Sequence, residues 1–512
     1  MSQSSLRKQN IPCSYIHIAF LNIHGNFDPQ DCYWTAHPDF GGQLIYVKEV
    51  SLALGRMGHR VDIITRRIRD PDWTGFESDI DAYPGHENVR IVRLPCGGDR
   101  FLRKQDLWPH IGTQWIPNVM SFYDNEGAQP DVATAHYGDS GLAAALWQSH
   151  GGPRYTFTAH SLGAHKLEKL QIYNHSDVAA LDAEFFFARR IAAERVAINH
   201  AARIITSTNQ ERCDQYEHAA YHDAVGTGGD AQFDVIPPGV NIDIFNTPGG
   251  IDDERIAAYI EQRIAREIPP ERRDLPIVIC SSRLEPKKNH LGLVLAFAHD
   301  PALQAAANLM LILHGTEDLR ATHGLDGAQR HIIEEIAATC ETAGLWDKVI
   351  ACSLDSQAEL AATYRHLAQR RSAFALTALY EPFGLAPLEA MAAGLPACVT
   401  RCGGPSETLY DPGSQTEFGV LVDPAQPADI ARGLMRLIGP DNEWQHFRDT
   451  GREHVLKHYT WEATARGYAS VLRSIVADAP APDGQLPIPE YFINPRGEND
   501  ITLEYLRGLL QG

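Results

Sequence analysis

The string Tyr380-Glu381-Pro382-Phe383-Gly384-Leu385-Ala386-Pro387-Leu388-Glu389 sets two carboxylates eight positions apart across a strand–turn–helix junction. An apolar run over 374–379 precedes it, and a helix-like segment over 390–394 follows. Gly384 has no side chain and lets the backbone of the turn approach a ligand closely. Pro387 suits the first helical position, where no backbone donor is lost. Glu389 is then expected in the first helical turn, beside amides that attract anions such as diphosphates. A carboxylate there can accept a ribose hydroxyl, while Glu381 is expected to point into a cleft above. The candidate ligand-binding residues of this loop are Glu381, Phe383, Gly384, Leu385 and Glu389.

A second loop in the same half adds positive charge. Ser281-Ser282-Arg283-Leu284-Glu285-Pro286-Lys287-Lys288-Asn289-His290 follows a strand-like run and opens a helix. Arg283 and Lys288 are placed to converge on one diphosphate and neutralise it as a leaving group, where electrostatic stabilisation acts most strongly. The R-x4-K spacing says little alone; its pairing with the glutamate string carries the reading. His314-Gly315-Thr316 and Gly403-Gly404-Pro405-Ser406-Glu407 are candidate loops beside a nucleotide, and each reads equally as an ordinary helix-opening turn.

The first half has the features of a second binding site. Asp39-Phe40-Gly41-Gly42-Gln43 precedes a helix whose Leu44, Val47 and Leu54 fit one buried face. Adjacent glycines at a helix start expose backbone amides toward phosphate or sugar hydroxyls. Arg100, Lys166 and Arg190 supply the two or three cations that a sugar-phosphate pocket needs, although each alone is ordinarily a solvated charge. Thr158-Ala159-His160 ends a strand and sets His160 at the cleft, as a donor to a sugar hydroxyl or backbone carbonyl, or as a core histidine satisfied by a neighbour. His136-Tyr137-Gly138-Asp139 is a similar loop, with Tyr137 expected to line the pocket and Asp139 not expected to be catalytic.

These loops need strands to end where they begin. Short apolar runs fall at 16–22, 61–65, 89–94, 132–135, 155–158 and 203–206, then at 277–281, 309–313, 349–352, 374–376, 397–400 and 420–422. Helix-period segments separate them, which signals parallel sheets with crossover helices. Two such series exceed one sheet of normal width, so the expected fold is α/β, two doubly wound domains facing across a cleft. Their expected extents are 1–240 and 275–477, with a linker over 241–274 after the Pro237-Pro238-Gly239 turn. A turn-rich stretch beginning Ala479-Pro480-Ala481-Pro482 opens a tail, 478–512, expected to dock back on the first domain.

Composition sets outer limits. The chain has 512 residues, 44% hydrophobic and 21% charged, as in ordinary globular proteins. A formal charge of −20 argues against duplex nucleic acid or an anionic membrane as principal partner. Nine cysteines form no C-x-x-C pair, and 23 histidines show no metal-binding spacing, so buried thiols and no metal are expected. Residues Met1 to Gln9 are polar and no run approaches a membrane span, so a cytoplasmic location is expected.

With these motifs in hand, the chain resembles the bacterial sucrose-phosphate synthases, within a retaining glycosyltransferase family that also holds sucrose synthase and mannosylfructose-phosphate synthase. The E-x7-E string is the signature of retaining transferases that use nucleotide sugars. Further matching strings are Gly25-Asn26-Phe27-Asp28, Tyr33-Trp34-Thr35, His37-Pro38-Asp39-Phe40-Gly41-Gly42-Gln43, His160-Ser161-Leu162-Gly163 and Ile488-Pro489-Glu490-Tyr491-Phe492. The resemblance implies a glycosyltransferase of the B type with two Rossmann-like domains, the first binding acceptor and the second nucleotide sugar, and with no required cofactor or metal. It implies transfer of glucose from UDP-glucose, or another nucleoside-diphosphate glucose, to fructose 6-phosphate, by front-face attack without a covalent nucleophile. By position, Gly41, Gly42, Gln43, Arg100, Tyr137, Lys166 and Arg190 would hold the acceptor. Gly42 would also reach the donor, with His160, Arg283, Lys288, Glu381 and Glu389. The family often has lysine where Arg100 stands, so that phosphate contact is expected to be reshaped.

Rival readings are a mannosylfructose-phosphate synthase using GDP-mannose, a sucrose-synthase-like enzyme using free fructose, and a non-catalytic sugar-nucleotide sensor. A nicotinamide-dependent dehydrogenase is excluded, because Ile23-His24-Gly25-Asn26-Phe27-Asp28 stands where its G-x-G-x-x-G turn would be. No fused phosphatase is expected after Asp483; a separate sucrose-phosphate phosphatase is the candidate partner. Nucleotide preference and oligomeric state are left open at this stage.

Overall fold

Runs of Val, Ile and Ala too short for a buried helix form the strands, and the helix-period segments between them return the chain to the same sheet edge. The computed structural model describes residues 15–33, 37, 39–174, 177–225, 229–440, 443–477 and 485–511. The polar N-terminus, Cys13, Trp34-Thr35, Pro38 and the turn-rich stretch 478–484 lie outside the described residues. The chain divides into two compact units: Met1–Thr206 with Arg212–Ile236 and Thr464–Gly512, and Ser207–Glu211 with Pro237–Ala463.

The first unit holds an eight-stranded sheet of β1 (His17–Leu21), β2 (Arg60–Arg66), β3 (Ile80–Ala82), β4 (Val89–Leu94), β5 (Val132–His136), β6 (Tyr155–Thr158), β7 (Arg203–Thr206) and β8 (Phe233–Val235), in the order β3-β4-β2-β1-β5-β6-β7-β8. All pairs are parallel except β3 with β4. The winding reverses between β1 and β5, where Ala19 pairs with Asp62 on one side and Ala133 on the other. That switch point is where the carboxyl ends of neighbouring strands open a crevice. Asn22 and His24 follow β1 there, and Tyr137 follows β5.

The core beneath joins Ala133, Ala135 and Phe157 of the sheet to Ile191, Ala192 and Ala197 of the helix Phe187–His200. Residues 485–511 pack on the same core through Leu486, Ile488, Tyr491, Phe492 and Leu506, and Arg189 pairs with Asp500 at 2.7 Å. The helix Trp461–Ala477 joins the first unit from Thr464 onward. Its buried Tyr468 hydroxyl lies 3.0 Å from both Tyr46 Oη and Thr158 Oγ1.

The second unit holds β9 (Ile277–Ser281), β10 (Asn308–Ile312), β11 (Val349–Cys352), β12 (Ala373–Leu376), β13 (Ala397–Thr400) and, after the antiparallel pair β14 (Tyr410–Asp411) and β15 (Thr416–Glu417), β16 (Val420–Val422). Its six-stranded parallel sheet runs β11-β10-β9-β12-β13-β16. Alternation along β9 sends Ile277 and Ile279 into one core layer and Val278 and Cys280 into the other, so both faces are covered.

The boundaries differ from the expectation. Residues 241–274 are not a linker, because the helix Ile251–Glu267 buries Ile256, Ile260 and Ile264, one every fourth position, in the core of the second unit. Arg365 also pairs there with Asp253. The division falls at Ile236/Pro237, beside the double proline, and again inside the last long helix. The short strands β3, β14 and β15 escaped the sequence reading because their residues, among them Asp81, Asp411 and Glu417, form no apolar run, whereas the comparably short β16 does.

Helix Gly138–Ser149 lies close on Phe187–His200 at Gly141, where a Cβ would run into Ala197 and come within 2.6 Å of Phe157. Helix propensity favours replacing this glycine, by about 1 kcal/mol for alanine. Overpacking opposes that gain, so Gly141→Val is expected to cost roughly 1–3 kcal/mol, read as a lower urea midpoint. An unchanged midpoint would show that the two helices can separate freely.

Candidate active site

The loop after β12 in the second unit is clamped to the loop after β13. Glu381 donates its backbone N–H to the Cys402 carbonyl at 3.0 Å, and Gly404 N–H donates back to the Glu381 carbonyl at 3.0 Å. Gly403 adopts φ +105° there, and a Cβ would strike the Glu381 carbonyl oxygen. The clamp holds the Glu381 carboxylate against Lys288, whose Nζ donates to Oε2 at 2.7 Å, with only 16% and 13% of the two side chains exposed. Lys288 is set by Asn289, which turns at φ +54°, caps the helix His290–His299 through Gly292 N–H, and donates to the Thr377 and Pro424 carbonyls.

The expected convergence of Arg283 with Lys288 is not observed. Arg283 is 77% exposed and pairs with Glu285 at 3.0 Å. Helix Leu385–Ala392 starts directly after Gly384, which adopts φ +95° as its N-cap. Pro387 is therefore the third helical residue, still without cost because the first four amides have no intrahelical acceptor. Glu389 falls in the second turn, not the first, which corrects the position read from the sequence. Burial pushes its carboxyl up to about 7, and among the described residues no side chain pairs with it.

Phe383 is buried beside Tyr459, with ring centres 6.1 Å apart, and Leu385 is half-buried. In the flanking loops, Gly315 N–H donates to Ser353 Oγ at 2.9 Å. Glu407 is occupied within the second unit, accepting from Asn209 N–H at 3.0 Å and Gln210 N–H at 2.6 Å.

In the first unit, Gly41 caps the helix Gly42–Arg56, and Gly42 is exposed with open space at its Cα. Gln43 reaches back, its Nε2 donating to Asn22 Oδ1 at 2.7 Å and to the His136 carbonyl at 3.3 Å, and so ties the ends of β1 and β5. Tyr137, at φ +77°, is buried with the Arg190 guanidinium 4.5 Å and Lys104 Nζ 6.0 Å from its ring centre. Lys104, Lys166 and Arg190 line one small pocket with Tyr137, Phe185 and Phe187. Burial, with Arg190 and Lys104 nearby, brings the Lys166 ammonium down to about 8. Arg190 is held by Glu194 at 2.7 Å and the Ser161 carbonyl at 2.8 Å, and Lys104 by Asp39.

Arg100 is the exception to the expected trio. It is 70% exposed and pairs with Asp70 at 2.9 Å, away from the pocket-lining set. Asp70 also accepts from Phe101 N–H, while Arg66 holds the Gly98 and Arg100 carbonyls, so the loop is spent on its own structure. Lys104 supplies the third cation. Its signal in the sequence was the basic pair Arg103-Lys104 just beyond Arg100, and nothing local distinguished the three.

His160 adopts φ +56° at the end of β6, with Nε2 2.9 Å from His136 Nδ1. Burial and the nearby His24 hold it down to about 3, so the ring is neutral. Asp139 is taken up by His24 Nδ1 at 2.7 Å and by Ser140 N–H at 2.6 Å. Among the described residues no group of three or more His, Cys, Asp or Glu could hold a metal ion, and no described helix is long and apolar enough to cross a membrane.

Two units, each built on a largely parallel sheet with polar loops at its strand ends, fit a glycosyltransferase of the B fold, and comparison with known proteins shows that class. Residues 8–262 match the family "Sucrose synthase first GT-B domain", and residues 261–454 match "Glycosyl transferases group 1". A probable sucrose-phosphate synthase from Thermosipho melanesiensis is 40% identical over 457 residues, 89% of this chain and 96% of its own. The probable sucrose-phosphate synthase 1 of Oryza sativa subsp. indica is 29% identical, and the chain spans 46% of that longer protein. Among solved structures, the sucrose-phosphate synthase from Thermosynechococcus elongatus superposes with TM-score 0.63 at 25% identity, covering 90% of this chain and 99% of that one. The catalytic domain of starch synthase IV from Arabidopsis thaliana, at 16% identity and TM-score 0.60, shares the fold. The chain belongs to the sucrose-phosphate synthase family of glycosyltransferases.

The raised Glu389 pKa carries a sign that can be measured. Its contribution to stability is present below its ordinary value of 4.5 and is lost as pH rises through about 7, because the buried carboxyl must then ionise. Thermal melts between about pH 5 and about pH 8 are expected to fall in wild type and to flatten in Glu389→Gln, which stays neutral. Equal slopes in the two proteins would place the titration elsewhere.

Proposed function

We propose that the protein transfers glucose from UDP-glucose to the anomeric hydroxyl of fructose 6-phosphate, with retention at the donor carbon, releasing UDP and sucrose 6-phosphate. The observation that carries this reading is the gathering of the half-buried Lys104 and Lys166 with the buried Arg190 beside Tyr137. Three cations in one small pocket suit a phosphate monoester, and free fructose offers them nothing to bind. The near full-length similarity to a probable sucrose-phosphate synthase supports the same choice over the GDP-mannose and free-fructose alternatives. On this reading the acceptor is held by Gly41, Gly42, Gln43, Tyr137, Lys104, Lys166 and Arg190, and Arg100 keeps its loop in place.

The second unit provides the donor side. Lys288 stabilises the diphosphate as the glycosidic bond breaks, and Glu381 holds that ammonium in position beside the transferred sugar. Glu389 accepts a ribose hydroxyl, Gly384 and Leu385 bring the helix start to the diphosphate, and Arg283 joins them by leaving Glu285 when the anion arrives. His160 donates to a sugar hydroxyl. The product carries a phosphate monoester, which a separate phosphatase would remove. The free, buried thiols of Cys96, Cys280, Cys352 and Cys398 suit a cytoplasmic location.

Acceptor choice tests the whole reading. With UDP-, ADP- and GDP-sugars as donors and the product identified, fructose 6-phosphate is expected to exceed free fructose about a thousandfold in kcat/KM, for phosphate contacts worth ~4 kcal/mol. Lys104→Ala should raise the KM for fructose 6-phosphate and leave that for the donor unchanged. If fructose proves the better acceptor, a sucrose-synthase-like activity replaces this one.

Lys288→Ala is expected to lower kcat about 10²–10³-fold, as for other preorganised stabilisers of developing charge. Retention of more than about half the rate would assign leaving-group stabilisation to another group.

A further inference from the structure

Three buried side chains of the first unit run in single file toward His160. Thr156 Oγ1 on β6 donates to Thr134 Oγ1 on β5 at 2.8 Å, Thr134 Oγ1 lies 3.2 Å from His136 Nε2, and His136 Nδ1 lies 2.9 Å from His160 Nε2. Thr134, Thr156 and His136 have no exposed surface, so each of their polar hydrogens needs an acceptor inside the chain. Both imidazoles are neutral, since burial holds His136 well below its ordinary value and His160 down to about 3. A neutral imidazole carries one N–H, which leaves two ways to place the protons.

In the first, His160 Nε2–H donates to His136 and His136 Nε2–H donates to Thr134. Thr134 then accepts twice, and its own hydroxyl hydrogen has no acceptor among the described residues. In the second, Thr134 O–H donates to His136 Nε2, and His136 Nδ1–H donates to His160 Nε2. Every hydrogen of the file is then placed, and the proton of His160 sits on Nδ1 of a ring that is only partly buried, where water or a ligand oxygen can accept it. A stranded buried donor is costly, so the second arrangement wins. The rings are held for it: Phe20 stacks on His136 at 5.4 Å and 9°, and Tyr46 meets His160 edge-on at 5.0 Å.

We infer that Thr134, acting through His136, sets His160 as the Nδ1–H tautomer, a hydrogen-bond donor to an oxygen of the sugar nucleotide and not a proton acceptor, with Thr134 and His136 as positioning residues. This rests on the role given to His160 in the proposed function. A general-base role at that ring would need a bare Nδ1, which the file forbids. Thr134 matters through its O–H alone: valine of the same shape leaves His136 Nε2 unsatisfied in either arrangement and removes the bias.

The test uses full-length protein with ¹⁵N-labelled histidine, the His160 ring signals being assigned by difference from His160→Gln. Wild type is expected to show a protonated Nδ1 and a bare Nε2 at His160. Thr134→Val should give mixed tautomers and about a tenfold lower kcat/KM for UDP-glucose with the KM for fructose 6-phosphate unchanged, and Thr134→Ser should restore both. Thr156→Val, which leaves the Thr134 O–H in place, should keep the wild-type tautomer and shows that a valine at this depth is tolerated. A protonated Nε2 in wild type, or an unaltered tautomer in folded Thr134→Val, overturns the file. A shifted tautomer with unchanged kcat/KM overturns the role given to His160 and leaves the file standing.

Discussion

Both sheets are covered on both faces, and that burial confines charged side chains with free valence to the carboxyl ends of the strands. Along β9 successive residues enter opposite core layers, so no position within the strand can present a charge to a ligand. The consequence runs through each unit. Asn22 follows β1, Tyr137 follows β5, His160 follows β6, Arg283 follows β9, and Glu381 and Gly403 follow β12 and β13. The strand-end loops carry these residues, while Lys166 and Arg190 of the basic pocket come from the helices Gly163–Asn174 and Phe187–His200.

Within that frame, desolvation does the tuning. The Lys288–Glu381 pair sits largely out of water, where removal of either partner strands the other charge. The same loss of water brings Lys166 down to about 8 and raises Glu389 to about 7. It keeps His136 and His160 neutral, so that a proton's position on a ring is set by hydrogen bonding. A chain with a formal charge of −20 thus contains a small pocket of three cations, and its net charge says nothing about that pocket.

Likeness to known proteins and the geometry of each unit bear on different questions. The match to a bacterial relative over 96% of that protein's length establishes the family, and the starch synthase likeness reports fold alone. Neither says which side chains meet. The plant relatives are about twice the length of this chain, so properties of their remaining parts do not carry over. The choice of a phosphorylated acceptor is argued from Lys104, Lys166 and Arg190 themselves.

The sequence by itself determined the alternation of strand and helix, the presence of two sheets, and the loops that carry polar residues, because a buried strand is an apolar run bounded by turns and both signals are local. It placed Glu381 and Gly384 in one turn, since spacing along a strand–turn–helix unit is nearly fixed, whereas the contact of Lys288 with Glu381 joins two such units 93 positions apart and belongs to the fold. Tertiary structure decided what spacing leaves open. It put Lys104 in the basic pocket and Arg100 on Asp70, two cations that look alike in sequence and differ only in what surrounds them. It moved Glu389 to the second helical turn, because the left-handed conformation of Gly384 begins the helix two residues before Pro387. It drew residues 251–267 into the second core, where three isoleucines on one face needed covering. Local pattern specifies elements because backbone geometry is periodic; partners, burial and protonation depend on residues distant in the chain, and only the folded chain brings those together.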